Sequence, residues 1–492
     1  MQIIVLMLMA ALLLNDQFGP APLHLGSGAQ ACALWLGAPL LLGGVYWLAC
    51  RLTLKLMSRG EGRRAVRRLD RVTTTLRLGL LAQYVLILAL GGLTWIRGLM
   101  GAPILLPEIV FLLPTVGLML AAWASYYPID RRLRQASLIR RVDEGLPIHP
   151  IWTLPQYLLA QVRHQLALIG LPLLLLLGWV EGVERWVPPA GRIWDLNAQM
   201  VLLLAGTGCV YLLAPVMIRH IWDTVPLPPG PLRAQLTDLC RRHRVGVREM
   251  LIWRTFGGTI NAAVMGLVAP LRYILLTDAL LDLMGQRQVE AVMAHELAHI
   301  RKRHMFWLLV SAAAALIALQ VGLNAALSAG AGWPPVHQAL HQARQALARV
   351  IGPAADSATA GQLVVVIVAL VTWLPVFGWV SRRFERQADT FAVQHLARER
   401  AALENRPGPV VIDGDSVATM QDALQAVADL NYIPRQRKSW RHGSIAWRQE
   451  YLATLVGRRA DALPIDRQMA LINLTALVVL LGGLAVSGMG GG

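Results

Sequence analysis

Long apolar runs broken by short basic loops dominate the chain. A helix of about 20 apolar residues crosses a bilayer's hydrocarbon core. Nine such runs are legible, at about 1–14, 31–50, 78–96, 107–127, 161–180, 198–218, 305–327, 361–380 and 470–490. The first is short, and a secretory signal is its rival. "MQIIVLMLMAALLLND" lacks a basic leader and a small-residue cleavage site, so it is kept as a span. Two polar stretches interrupt the series. They divide the chain into 1–218, a membrane region with six spans and basic loops; 219–304; a transmembrane hairpin at 305–380; 381–469; and a last span with a Gly-rich tail at 470–492.

Inside 219–304 the pattern changes period. A loop punctuated by prolines, "TVPLPPGPLRAQL", leads into a helix-like segment from Pro231 to His243. The runs "MLIWRT", "TINAAVMG" and "RYILLTD" are rich in β-branched and aromatic residues and bounded by Gly and Pro, which predicts a small sheet. Two helices follow, "ALLDLMG", with Thr277 and Asp278 as its caps, and "QRQVEAVMAHELAHIRKRH". The second is predicted to run unbroken into the seventh span, since nothing between His304 and Phe306 would stop a helix. The stretch 381–469 holds the helical "SRRFERQADTFAVQHLARER", a Pro/Gly/Asp-rich loop at 405–416 and the helical "MQDALQAVADLNYI".

Composition agrees with a membrane protein. Of the 492 residues 55% are hydrophobic and only 15% charged, where soluble chains carry about 25% charged residues. The net charge of +17 raises the question of nucleic acid, but its placement answers otherwise. Arg51, Lys55, Arg59, Arg63, Arg64, Arg67, Arg68, Arg71 and Arg77 crowd the second loop, and Arg131, Arg132, Arg134, Arg140 and Arg141 the fourth. The first loop has no Lys or Arg and the third only Arg97. This alternation follows the positive-inside rule and puts the even loops in the cytoplasm, 219–304 and 381–469 among them. Trp47, Trp95, Trp179, Trp222, Trp307 and Trp379 stand near span ends, as interfacial rings do. Cys32, Cys50, Cys209 and Cys240 show no paired spacing and read as buried free thiols.

The candidate chemistry lies in "AHELAHIRKRH", Ala294 to His304. Positions four apart on a helix differ by about 40°, so His295 and His299 can present two imidazoles to one ion. Zinc takes neutral imidazole readily. Glu296, beside the first histidine, is placed to accept a proton from a water that the metal activates, which is the mechanical basis of the H-E-x-x-H signature. His304, five positions beyond His299, would lie about 140° around a continuous helix. It is therefore expected to face solvent or headgroups among Arg301, Lys302 and Arg303. A third ligand is sought in "ERQAD", where Glu385 and Asp389 share a helix face: one carboxylate can bind zinc while the other orients a ligand histidine. A surface pairing of these acids with Arg382, Arg383 and Arg386 is the plainer alternative.

"RYILLTDALLDLMGQRQVEAVMAHELAHIRKRH" together with "SRRFERQADTFAV" resembles the membrane zinc metalloprotease family of the CAAX prenyl proteases and bacterial HtpX, over about 219–455. The apolar runs make the chain a predominantly α-helical polytopic membrane protein of about nine transmembrane helices, and the resemblance implies a cytoplasm-side α+β zincin-like catalytic domain carrying the small sheet. It implies one Zn2+ per chain on His295, His299 and Glu385, Glu296 as general base, and Asp389 as support of the site. "TINAAVMG" resembles the family's edge strand, so that Asn261, Ala262 and Ala263 would flank an extended peptide. "WRHGSIAWR" resembles its late histidine segment, which makes His442 a candidate donor to the oxyanion. The N-terminal six spans and the ninth match no pattern of the family.

The function implied is peptide-bond hydrolysis at the cytoplasmic membrane face, with peptide or membrane-protein substrates and the lipid bilayer as partners, in quality control or processing, with CAAX-type prenyl-protein cleavage as the alternative. The Arg- and Leu-rich composition points to a bacterial inner membrane. A site-2-type intramembrane protease is disfavoured because Arg301, Lys302 and Arg303 follow the motif directly and belong at an interface. A non-catalytic scaffold or transporter with a structural metal would be expected to close the site with four protein ligands.

Overall fold

In a computed structural model the described residues are 30, 32–89, 91–101, 103–143, 150–193, 196–256, 259–330, 357–431 and 433–489, with isolated positions 338, 342 and 345. The described residues form two compact units, one up to Trp222 and the other from Asp223 onwards. The expected span at 1–14 lies outside the described residues.

The first unit is helical. A π-helical turn, Ala33–Gly37, leads into α1 (Ala38–Ser58). After it come α2 (Gly62–Ala89), α3 (Gly92–Met100), α4 (Leu106–Asp143), α5 (Leu154–Gln161), α6 (Leu168–Trp186) and α7 (Ala198–Ile221). A two-stranded ribbon, β1 (Arg192–Ile193) and β2 (Leu196–Asn197), precedes α7 and was not expected. Leu80, Tyr84, Ile87, Phe111, Met119 and Trp123 make one core. The run at 78–96 does not form a straight span: Arg68–Leu88 and Gly92–Met100 meet at 60°. Gly91 takes φ 76°, and a Cβ on Gly92 would fall 2.4 Å from Ile87 Cγ2, so the bend needs both glycines.

The second unit joins a small sheet to helices. Its elements are β3 (Thr224–Pro226), α8 (Pro231–Arg242), β4 (Glu249–Trp253), β5 (Ala262–Met265), β6 (Tyr273–Thr277) and α9 (Asp278–Leu283). The helices α10 (Gln286–Arg301), α11 (His304–Gly330), α12 (Ser357–Leu403), α13 (Gly414–Leu430), α14 (Ile445–Ala453) and α15 (Pro464–Met489) complete it. The sheet order is β3-β4-β6-β5, with β4 and β6 parallel and the two outer pairs antiparallel. The three runs expected as strands are strands. The Pro-rich loop adds β3, and Pro226 is tolerated there because an edge strand can do without a ladder N–H.

Thr277 caps α9, its hydroxyl accepting from Leu280 N. α10 packs between the sheet and α12. Val289, Met293 and Leu297 on one stripe and Ala291, Ala294 and Ala298 on the next are all buried, and small residues let the backbones approach. α11 and α15 pack on one another in the same way: a Cβ at Gly483 would collide with Ile317.

The predicted continuity of α10 and α11 is wrong. The helix stops at Arg301, Lys302 and Arg303 form a turn, and α11 starts at His304. Arg303 sits in the left-handed region at φ 54°. No proline or glycine marks the break, which is why the apolar periodicity concealed it.

Six helices among the described residues are long and apolar enough to cross a membrane, or seven if the bent pair is one span. They coincide with the runs at 31–50, 107–127, 161–180, 198–218, 305–327 and 470–490. The run at 361–380 is the start of α12, a single helix that continues to Leu403. All four cysteines are free; Cys50 and Cys240 are buried, whereas Cys209 is exposed on α7 rather than buried as expected.

Candidate metal centre

α10 and α12 lie side by side, and between them stand the residues picked out by motif. His295 and His299, one helical turn apart, bring their Nε2 atoms to 3.3 Å of each other. From α12, Glu385 places one carboxylate oxygen 3.6 Å from His295 Nε2 and the other 4.0 Å from His299 Nε2. Donor atoms of these three residues all fall within 4.8 Å of one another, and they are the one such group among the described residues. Two imidazoles and a carboxylate are a donor set that zinc accepts, with a fourth position left over. The residues fit the metal.

Asp389, one turn beyond Glu385 and wholly buried, comes within 2.9 Å of His295 Nδ1. Burial alone would lower the His295 pKa; the Asp389 carboxylate outweighs it and raises it. Asp389 does not stand alone. Arg448 of α14 grips it with two donors, Nε to Oδ2 at 2.7 Å and an NH2 to Oδ1 at 2.5 Å, and lies 3.4 Å from Glu385. Burial opposes ionisation of Glu385, but the His442 hydrogen bond and the Arg448 guanidinium hold its carboxyl well below the usual range.

Arg448 went unrecognised in the sequence, although "WRHGSIAWR" contains it. The arginines weighed as partners of the acids, Arg382, Arg383 and Arg386, do other things. Arg382 donates to the Trp440 carbonyl, Arg383 lies over the Trp379 ring, and Arg386 over Trp447 and Tyr451.

Glu296 is half-buried, and burial pushes its carboxyl up to about 7, against a hydrogen bond from the Val264 backbone. Val264 belongs to β5, which packs on α10 and forms one edge of the sheet. Ala262 and Ala263 are in that strand, with Asn261 exposed just before it. The approach to β5 is held rigidly. Asn431 accepts from Ile260 N and donates to Ile260 O, while Thr277 Oγ1 accepts from Asn261 N. Asp278 takes four donors, from Thr255 N and Oγ1, Phe256 N and Ala279 N. His442 is half exposed, and its Nδ1 lies 2.9 Å from Glu385. The structure thus gathers His295, Glu296, His299, Glu385, Asp389 and His442 into one neighbourhood beside β5.

His304 contradicts its expectation. It is 3% exposed, with Nδ1 2.9 Å from His299 Nδ1 and its ring stacked on Phe384. The break at Lys302–Arg303 turns it back towards the site, so an angle reckoned along a continuous helix did not apply. It is still outside the three-donor group.

The class that fold and site define is a helical membrane protein with a small mixed sheet backing an H-E-x-x-H helix. Residues 255–406 match the sequence model of Peptidase family M48. That stretch holds α10 and the segment of α12 with Glu385 and Asp389, so the resemblance drawn from the two motifs stands. It is narrower than the 219–455 expected, leaving out β3, β4, His442 and Arg448. Among solved structures, the chain is similar to "Crystal Structure of S. mikatae Ste24p", at 14% identity and a TM-score of 0.45, over 86% of this chain and 98% of that one. No curated protein matches the chain.

Proposed function

We propose that the chain is a zinc-dependent membrane endopeptidase that hydrolyses peptide bonds at the cytoplasmic face of a bacterial inner membrane, in quality control or processing of membrane proteins. The observation that carries this is the meeting of His295 and His299 with a carboxylate from a helix remote in sequence, with Glu296 next to His295 on α10. His295, His299 and Glu385 would hold a zinc ion, which would supply Lewis acidity to the scissile carbonyl and to the attacking water.

The chain's own residues do the rest. β5 offers its open edge to an extended peptide, which adds as a further strand and so lies along α10. Glu296 takes the proton of the attacking water and passes it to the leaving amine. A base whose pKa lies near working pH does this best, and burial moves Glu296 in that direction. His442 stabilises the oxyanion as it develops, a role typically worth about 2.7–4 kcal/mol for a placed donor. Asp389, backed by Arg448, holds His295 at its Nδ1 so that Nε2 faces the metal.

The scaffold reading calls for a fourth protein ligand, whereas the donor group has three members among the described residues. The test is Glu296→Gln in the full chain. Zinc content should be unchanged while cleavage of a membrane-protein substrate falls by orders of magnitude. Undiminished cleavage by this variant would end the proposal.

A further inference from the structure

His295 has a carboxylate behind it; His299 does not. What stands behind His299 is a second histidine. We propose that His304, braced by Gln387, is the positioning residue that fixes His299 as a metal ligand; this rests on the zinc reading above.

The argument is one of hydrogen-bond direction. His299 must offer the Nε2 lone pair to a metal, so its proton belongs on Nδ1. That atom is 2.9 Å from His304 Nδ1, which must then be the acceptor. The His304 proton is thereby placed on Nε2, and Nε2 is 3.0 Å from the Gln387 side-chain carbonyl. The Gln387 amide donates onward to Asp466 at 2.6 Å, and Asp466 also accepts from Lys302 Nζ at 2.8 Å. Each group in the series has one role that satisfies both neighbours. Reversing one bond would set two donors or two acceptors face to face.

The surroundings hold this series in place. His304 and Gln387 are both buried. The His304 ring lies on Phe384 with centroids 4.5 Å apart and meets His299 edge to face at 4.9 Å. Lys302 and Arg303 make the turn that returns His304 to His299, and Lys302 also anchors the far end of the series. The first residues of α15 therefore bear on the metal site through Asp466.

The test measures zinc affinity of the purified full chain by chelator competition, alongside turnover at saturating zinc and the melting temperature of the metal-free protein. His304→Phe keeps a ring on Phe384 but cannot accept from His299; the expected loss of zinc affinity is about 10–100-fold, as for other outer partners of metal histidines. His304→Asn can still offer an oxygen near the position of Nδ1 and should recover most of that loss, which lost packing alone would not predict. Gln387→Met removes the brace without touching either histidine and should weaken zinc binding by a smaller factor. Wild-type affinity in both His304→Phe and Gln387→Met, or Asn behaving no better than Phe, overturns the positioning role. A wild-type chain that binds no zinc overturns the function reading, and the positioning role with it.

Discussion

Four residues show why some of the site was legible and some was not. His295, Glu296 and His299 could be read because their relation is local: the helical repeat alone puts the two imidazoles on one face. Arg448 could not, because its partner Asp389 is on another helix and nearer arginines were the natural candidates. Its burial carries an energetic consequence. Asp389 is completely enclosed, and Arg448 supplies the charge that offsets its desolvation. Removing one member of a buried pair leaves an uncompensated charge, which costs about 3–5 kcal/mol. Arg448→Met should therefore lower unfolding free energy by about that amount, while the double variant Arg448→Met with Asp389→Leu should be less destabilised than the single one. Denaturant unfolding of the two variants in detergent checks this. A single variant as stable as wild type would mean that the ion pair does not support the site.

At the scale of elements, sequence periodicity gave the strands β4, β5 and β6 and the helices α10 and α12 but missed the turn between α10 and α11. The turn has no glycine or proline to signal it; the residue in the left-handed region is Arg303, with φ 54°. An L-residue in this region costs about 1–2 kcal/mol, and a β-branched one is worse placed still. Glycine takes the same backbone without that strain, at some cost in unfolded-state entropy. Arg303→Gly should thus be neutral or stabilising by up to about 1 kcal/mol. Arg303→Val should lose about 1–2 kcal/mol and, because the turn sets His304 against His299, bind zinc more weakly. Melting temperatures and zinc titrations of the two variants decide the matter. If Val is accommodated as readily as Gly, the turn is not held in the left-handed conformation.

For the molecule as a whole, six of the nine apolar runs coincide with helices long and apolar enough to cross a membrane among the described residues, and run length said little about shape. Length and hydropathy do not register a bend at Gly91–Gly92, nor that the run at 361–380 is the beginning of a helix reaching the metal centre. Charge placement carries the remaining information, because Lys and Arg resist translocation. The second loop is densely basic and the third has only Arg97, so opposite sides of the membrane are expected for them. The polar helices of the second unit should share the side of the second loop. Cysteine introduced singly at Arg68, Gly101 or Glu404, all exposed, in a background without native cysteines, makes this measurable. An impermeant maleimide should reach positions 68 and 404 in inside-out vesicles alone, and position 101 in right-side-out cells alone. Position 404 labelling from outside would put the peptidase site on the far face of the membrane. The proposed cytoplasmic cleavage would then be wrong even with zinc and Glu296 in their assigned roles.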